Sequence, residues 1–96
     1  MPRIRWDERA SLDLIRLHQF LAPKSRNSAL RAVKAIRQGV KVLGTHPEIG
    51  RLVEDMPPGF RELVIEFGQG AYVARYHYDG QQVVVLAIRH GREAGY

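Results

Sequence analysis

The second half of the chain limits the fold most, because Phe60–Tyr96 consists of three apolar, β-rich runs separated by short turns. The runs are Arg61–Phe67, Ala71–Tyr78 and Val83–Ile88. The first two alternate in side-chain character, as expected for strands with two unlike faces, and the third is apolar throughout, as expected for a strand flanked by partners. Gly68-Gln69-Gly70 and Asp79-Gly80 are links of the length and composition that favour hairpins. We therefore predict a three-stranded antiparallel meander.

The first half shows helical periodicity after a short predicted strand, Arg3–Trp6. Asp7 suits the N-cap of a first helix that ends at Ala22-Pro23. The buried stripe predicted for this helix is Ala10, Leu14, Leu17 and Leu21, widened by Leu12, Ile15 and Phe20. A second helix is predicted over Ser28–Leu43, with a buried stripe of Leu30, Val33, Ile36, Val40 and Leu43, aided by Ala29 and Ala32.

The order of these elements predicts one α+β domain spanning residues 1–96. An N-terminal strand is followed by a two-helix antiparallel hairpin, which packs on an antiparallel sheet whose last three strands form the meander. Gly44 ends the second helix, Thr45–Gly50 forms a compact turn, and Arg51–Gly59 is expected to be a loop.

Composition excludes several classes of function. The chain has no cysteine, no apolar run of about 20 residues and no secretory signal pattern, so we expect a soluble, cytoplasmic protein that does not enter a membrane. It carries no phosphate loop, dinucleotide fingerprint or paired-histidine zinc motif, and we expect no metal or cofactor. The net charge of +5 and pI near 10.1 are compatible with a nucleic-acid partner, an acidic protein partner or simply a basic surface.

The residues with the most chemical potential are cationic or aromatic and lie in the meander and the tail after it. The predicted target-binding set is Arg61, Arg75, Arg89, His90, Arg92 and Tyr96. Arginines on neighbouring strands can hold a phosphate, and a histidine beside them can transfer a proton. Alternatively, the arginines pair with nearby glutamates and the tail is a solvated terminus. If the tail acts on a target, removal of Gly91–Tyr96 should reduce activity while leaving the fold largely intact.

The second helix also carries a row of cations along one side, and no acid occurs between Arg26 and Leu43. The row comprises Arg31, Lys34, Arg37 and Lys41. A solvated helix face accounts for it, but like charges at this spacing repel each other. We therefore predict that the row binds an acidic, partly disordered protein segment.

The ordered combination of these features resembles the RelE/ParE superfamily of toxins from bacterial type II toxin–antitoxin systems. The matching pieces are Asp13-Leu14, Val42-Leu43, His46–Arg51, Arg61, Tyr72–Tyr76 and Val84–His90. The resemblance covers nearly the whole chain and implies a small α+β toxin that a cognate antitoxin neutralises.

The resemblance implies two possible activities. RelE-like members cut messenger RNA on the ribosome, and in that case His90, Arg61, Arg92 and Tyr96 would be the catalytic set. ParE-like members have a similar fold but poison DNA gyrase. This chain has Leu63 where RelE-like toxins place a lysine and Val73 where they place an arginine, so it is closer to ParE-like members.

Three hypotheses follow. The leading one is a gyrase poison that serves plasmid stabilisation, and the second is a metal-independent endoribonuclease acting on the ribosome. The third is a non-toxic basic module that binds nucleic acid or protein, and growth arrest on expression without an antitoxin would exclude it.

Overall fold

A computed structural model describes residues 1–93 of the chain and contains two helices packed on one face of a five-stranded sheet. The elements are β1 (Arg3–Trp6), α1 (Glu8–Leu21), α2 (Arg26–Lys41), a 3-10 turn (Val42–Gly44), β2 (Arg51–Leu52), β3 (Phe60–Phe67), β4 (Gly70–Tyr78) and β5 (Gln82–His90). The predicted α+β architecture, the two helices and the meander of β3, β4 and β5 are confirmed. Neither helix is long and apolar enough to cross a membrane.

The sheet has the strand order β1-β5-β4-β3-β2 and is mixed rather than wholly antiparallel. β1 pairs with β5 in parallel, because the chain leaves β1 through both helices and returns along the opposite edge of the meander. β2 is an edge strand within the predicted Arg51–Gly59 loop, and its two residues are too few to give a periodic signal.

The second helix begins two residues earlier than predicted. Ser25 is its N-cap, and the Ser25 hydroxyl accepts a hydrogen bond from the backbone N–H of Ser28 at 3.1 Å. At the other end, the tighter 3-10 turn replaces the predicted last α-helical turn. Asp7 is the N-cap of α1 as predicted, although its side chain makes no capping hydrogen bond.

The core lies between the helices and the facing side of the sheet, where Ile36, Leu43, Tyr76, Val83 and Val85 are fully buried. Four residues predicted to be buried are exposed instead, at 53–67% of their surface: Leu12, Ile15, Phe20 and Leu30. Each is displaced around its helix from the buried stripe, because one residue corresponds to about 100° of rotation. The predicted stripes were therefore too wide.

A β-bulge at Leu86 sets the direction of the side chains that follow it. Tyr76 pairs with Val85 and Arg75 pairs with Ala87, so Leu86 is an additional residue on β5. The side of the sheet opposite the helices is called the open face below. It carries Arg3, Arg5, Arg51, Phe60, Glu62, Val64, Glu66, Val73, Arg75, His77, Val84, Ala87 and Arg89.

Candidate functional site

A cleft of about 780 Å³ lies where α1, the β3–β4 hairpin and the end of β5 meet. It is lined by Arg16, Leu17, Phe20, Leu21, Phe67, Gly68, Gln69, Gly70, Tyr72, His90, Arg92 and Glu93. Aromatic and aliphatic side chains form most of the wall, and polar groups from α1 and from the end of β5 are added to it. A concave apolar site with a few convergent polar groups is the usual form of a binding site.

His90, the last residue of β5, presents its ring to this cleft. The ring packs edge-on against Tyr72 with a centroid distance of 5.3 Å. Nδ1 accepts a hydrogen bond from the backbone N–H of Arg92 at 3.1 Å, so the neutral ring carries its proton on Nε2. Nε2 lies beside Gly70, where an added Cβ would come within 3.2 Å. The glycine therefore leaves room for a donor group on the cleft wall.

Glu93 connects the end of β5 to α1. Its carboxylate accepts a hydrogen bond from the backbone N–H of His90 at 2.8 Å and forms an ion pair with Arg16 at 3.1 Å. Burial opposes ionisation of Glu93, but the bond from His90 and the contacts with Arg16 together outweigh burial, and the pKa of Glu93 is lowered. Burial and the charge of Glu93 both raise the pKa of the Tyr72 hydroxyl. The cleft therefore contains an ionised carboxylate beside a protonated phenol.

Side chains of α1 hydrogen-bond to the backbone of β5 where no strand pairs with that edge of β5 within the described residues. β1 pairs only with residues 82–85 of β5, and the backbone of Ile88 lies beyond it. The Asp13 carboxylate accepts a hydrogen bond from the Ile88 N–H at 2.9 Å, and Arg16 donates to the Ile88 carbonyl at 3.4 Å. No role for these two residues was predicted from the sequence. The pattern that could have identified them is a polar pair at positions i and i+3 beside a buried stripe.

Arg61 lies at the other end of the sheet, against the turn over residues 46–51. Its guanidinium donates to the carbonyls of Glu48 at 2.9 Å and Gly50 at 2.8 Å, and it forms an ion pair with the Glu48 carboxylate at 3.5 Å. The Tyr76 hydroxyl holds the same turn by donating to the Pro47 carbonyl and accepting from the Gly50 N–H. Arg61 thus has a structural role in this turn.

Arg75 and Arg89 point to the open face, away from both Arg61 and the cleft. Arg75 forms an ion pair at 3.0 Å with the buried carboxylate of Glu62, which also contacts Arg51 at 3.2 Å. Arg89 donates to the carbonyls of His90, Gly91 and Glu93 at 3.3–3.4 Å. Both arginines therefore take part in internal contacts.

The structure consequently divides the predicted target-binding set. Of its members within residues 1–93, His90 and Arg92 meet in the cleft, whereas Arg61, Arg75 and Arg89 lie elsewhere. Tyr96 lies outside the described residues. The described part of the tail is also bonded to the fold, because the Gly91 N–H donates to the Ala71 carbonyl at 2.7 Å.

The cations on α2, Arg31, Lys34, Arg37 and Lys41, are all exposed, as the helical spacing predicts. Leu30, on the same helix, is 62% exposed and adds an apolar contact to this charged surface. The Arg31 guanidinium lies 5.9 Å from the centroid of the Phe67 ring, which belongs to the cleft wall. The basic surface of α2 therefore adjoins the cleft.

No cluster of three or more metal-ligating side chains occurs within residues 1–93. The described groups of the cleft can supply hydrogen bonding, charge stabilisation and proton transfer by His90.

Comparison with known proteins agrees with the architecture. Residues 4–95 match the model of the family described as "ParE toxin of type II toxin-antitoxin system, parDE". Among curated proteins, Toxin RelE3 of Caulobacter vibrioides is 31% identical over 93 residues, covering 97% of this chain and 98% of that protein. Toxin RelE1 of the same organism is 38% identical over 85 residues, covering 88% of each.

A solved structure gives the same relationship in three dimensions. A chain described as "Chromosomal ParDE TA system from P. aeruginosa" superposes with a TM-score of 0.76 at 27% sequence identity. The match covers 94% of this chain and 96% of that one. The likeness therefore extends over the helices and the sheet together.

Proposed function

Because the chain belongs to the ParE toxin family of type II toxin–antitoxin systems, and so has a cognate antitoxin, we propose that it is a cytoplasmic toxin that poisons DNA gyrase. In this proposal the toxin binds gyrase and stabilises the complex in which DNA is cleaved. Growth then stops unless the antitoxin is bound.

The positions of the cations support a binding protein over a nuclease. A nuclease acting on a phosphodiester needs cations that converge on the reacting phosphate. Arg61 and Arg75 are instead joined to Glu48 and Glu62 on opposite faces of the sheet. Leu63 packs against the core and Val73 is 6% exposed, so neither position supplies a charge.

His90 and Arg92 are proposed to contact gyrase through the cleft, and Tyr96, outside the described residues, is proposed as a further contact with gyrase. The first test is inhibition of supercoiling, with accumulation of cleaved DNA, by the purified toxin. Arg92→Ala should weaken this inhibition, because Arg92 is exposed at the cleft and its side chain forms no hydrogen bond or ion pair with the rest of residues 1–93. Arg9→Ala removes an exposed arginine from the start of α1 and is the matched control. Intact supercoiling at high toxin excess would overturn the gyrase proposal.

The tail is tested by removing residues 94–96, since a longer deletion would also remove the bonds of Gly91 and Glu93. Loss of inhibition with unchanged antitoxin binding is the expected result. A truncated protein that still inhibits supercoiling at full strength would remove Tyr96 from the target-binding set.

One observation favours a second candidate, a ribosome-dependent endoribonuclease. The Nε2–H of His90 lies on a cleft wall that also carries Arg16 and Arg92, where it is a hydrogen-bond donor in the neutral ring and an acid in the imidazolium form. His90→Gln should then reduce message cleavage by roughly 10²–10⁴-fold, the usual contribution of a positioned proton donor. Under the gyrase proposal the same change has a milder effect than loss of Arg92. Mapping of transcript ends during brief expression separates the two, because codon-aligned cleavage occurs only with the nuclease.

The antitoxin is proposed to place an acidic, partly disordered segment along Arg31, Lys34, Arg37 and Lys41 on α2. Lys34→Glu with Arg37→Glu should weaken the complex most at low salt, where charges are least screened. Arg3→Glu with Arg5→Glu makes the same change of charge on the opposite side of the molecule and is the control. Equal effects of the two double variants would show that net charge, rather than this surface, controls affinity.

A further inference from the structure

The open face of the sheet carries an excess of arginine that neither the cleft nor the antitoxin surface uses. Five arginines share this face with two glutamates. The arginines are Arg3, Arg5, Arg51, Arg75 and Arg89, and the glutamates are Glu62 and Glu66. None of the chain's lysines lies in the sheet. Arginine presents paired N–H groups in a plane, and this geometry matches the oxygens of a phosphate.

The exposed cations lie at the two margins of the face. Arg3 and Arg5 are exposed on β1, where alternate residues are about 6.8 Å apart along a strand. Arg51, whose side chain is 71% exposed, lies on β2 at the other margin. Four interstrand steps of about 4.8 Å separate the margins by roughly 19 Å. Val73 and Ala87, which lie between the margins, are buried.

Internal pairing does not cancel this charge. Glu62 is shared between Arg51 and Arg75, at 3.2 Å and 3.0 Å, so one carboxylate serves two guanidinium groups. Arg3 and Arg5 form no ion pair in the described part of the chain. The face therefore remains positive, with two exposed arginines on β1.

We propose that the open face binds the phosphate backbone of duplex DNA. The width of roughly 19 Å allows the two margins to reach the backbones on either side of a major groove, itself about 12 Å wide. Single-stranded nucleic acid is less suitable, because it needs exposed rings on which bases stack. Phe60 and His77 instead pack on each other, with centroids 4.7 Å apart and planes inclined at 57°.

A protein partner fits this face less well than DNA does. Protein interfaces depend on large apolar or aromatic anchors at their centre. Val64, 51% exposed, is the one large apolar side chain exposed on this face within residues 1–93. The α2 surface, where Leu30 accompanies the cations, has the mixed character that an acidic protein segment requires.

The proposal is tested by fluorescence anisotropy with a labelled duplex of about 20 base pairs, at a series of salt concentrations. Log K falls as log salt rises, and each lost phosphate contact reduces the magnitude of this negative slope by about 0.9. Arg3→Gln with Arg5→Gln should therefore reduce the magnitude of the slope by about 1.8 and weaken binding. The affinity lost between about 50 and about 200 mM salt should shrink by roughly tenfold. Lys34→Gln with Arg37→Gln removes the same charge from α2 and should leave the slope unchanged.

Several results would overturn the proposal. They are failure of the native protein to bind the duplex at low salt, equal loss in both double variants, and tighter binding to a single strand of the same length. A weaker antitoxin complex in Arg3→Gln with Arg5→Gln, without an effect on DNA, would make the face a protein interface. DNA binding is measured without gyrase, so its failure is distinct from failure of supercoiling inhibition.

Discussion

Replacement of Tyr76 by phenylalanine should destabilise the fold through the turn over residues 46–51. Tyr76 is completely buried, and its hydroxyl makes two hydrogen bonds. It donates to the Pro47 carbonyl at 2.8 Å and accepts from the Gly50 N–H at 2.9 Å. The change removes one oxygen atom, leaves the packing of the ring in place and deprives the buried Gly50 of its partner.

The magnitude follows from the cost of unsatisfied groups. A buried donor without a partner costs about 1–3 kcal/mol, and the partly exposed Pro47 carbonyl adds about 0.5–1 kcal/mol. We expect the free energy of unfolding to fall by about 2–3 kcal/mol. This is a large part of the roughly 5–15 kcal/mol that stabilises a domain.

Urea unfolding measures the effect. With a slope of about 1–3 kcal/mol per molar urea, the midpoint should fall by roughly 0.7–3 M while the slope stays constant. Tyr78→Phe is the matched control, because Tyr78 packs at the margin of the same core and its hydroxyl makes no hydrogen bond within residues 1–93. A midpoint for Tyr76→Phe equal to that of Tyr78→Phe would refute the role of the hydroxyl in this turn.

Three further predictions concern the packing of the helices and the end of β5. Gly39→Ala should lower the free energy of unfolding by about 1 kcal/mol, because the new Cβ would lie 2.8 Å from Ile65 and overpacking costs more than the gain in helix propensity. The loss, measured by urea unfolding, should be smaller in a protein that also carries Ile65→Val. Asp13→Ala should speed amide hydrogen exchange at Ile88 and cost about 1–2 kcal/mol, whereas unchanged exchange would show that the carboxylate does not protect this strand end. The folded-state pKa of Glu93 is below its usual value of 4.5, so the stability that ionised Glu93 contributes is present above pH 4.5 and is lost as pH falls through the lowered value. The stability difference between the native protein and Glu93→Gln should therefore vanish in acid. A difference that persists in acid would contradict the role of the ionised carboxylate.

Period and turn chemistry were sufficient to predict most of the fold. Alternation gave β3 and β4, the Gly- and Asp-containing links gave the hairpins, and a strand before two helices gave the α+β class. The error over Leu12 and Leu30 was avoidable, since both lie far around the helix from the buried stripe. The parallel pairing of β1 was not accessible in this way, because it depends on where the chain returns after both helices.

The candidate site was harder to predict, because it depends on small interactions between distant elements. The hydrogen bonds of Asp13 and Arg16 to the backbone of Ile88 join residues that are 75 and 72 positions apart. No local pattern in the sequence specifies such a contact. The division of Arg61 from Arg75, by contrast, was already present in the sequence. Arg61 alternates in phase with Leu63 and Ile65, and Arg75 alternates out of phase with Tyr76, so the two could not share a face once those apolar residues formed one core.

The bulge at Leu86 decides what reaches the cleft. Without the additional residue, strict alternation from Val83 and Val85 would send Arg89 to the helix side and His90 to the open face. With it, Ile88 and His90 turn towards the helices, and Arg89 turns away to bond the carbonyls of the tail. A run of apolar residues such as Val83–Ile88 gives no sign of where an additional residue will be accommodated, because every position is acceptable on either face. The direction of His90, and with it the chemistry available in the cleft, is therefore set by one irregularity of pairing that the alternation of the sequence does not reveal.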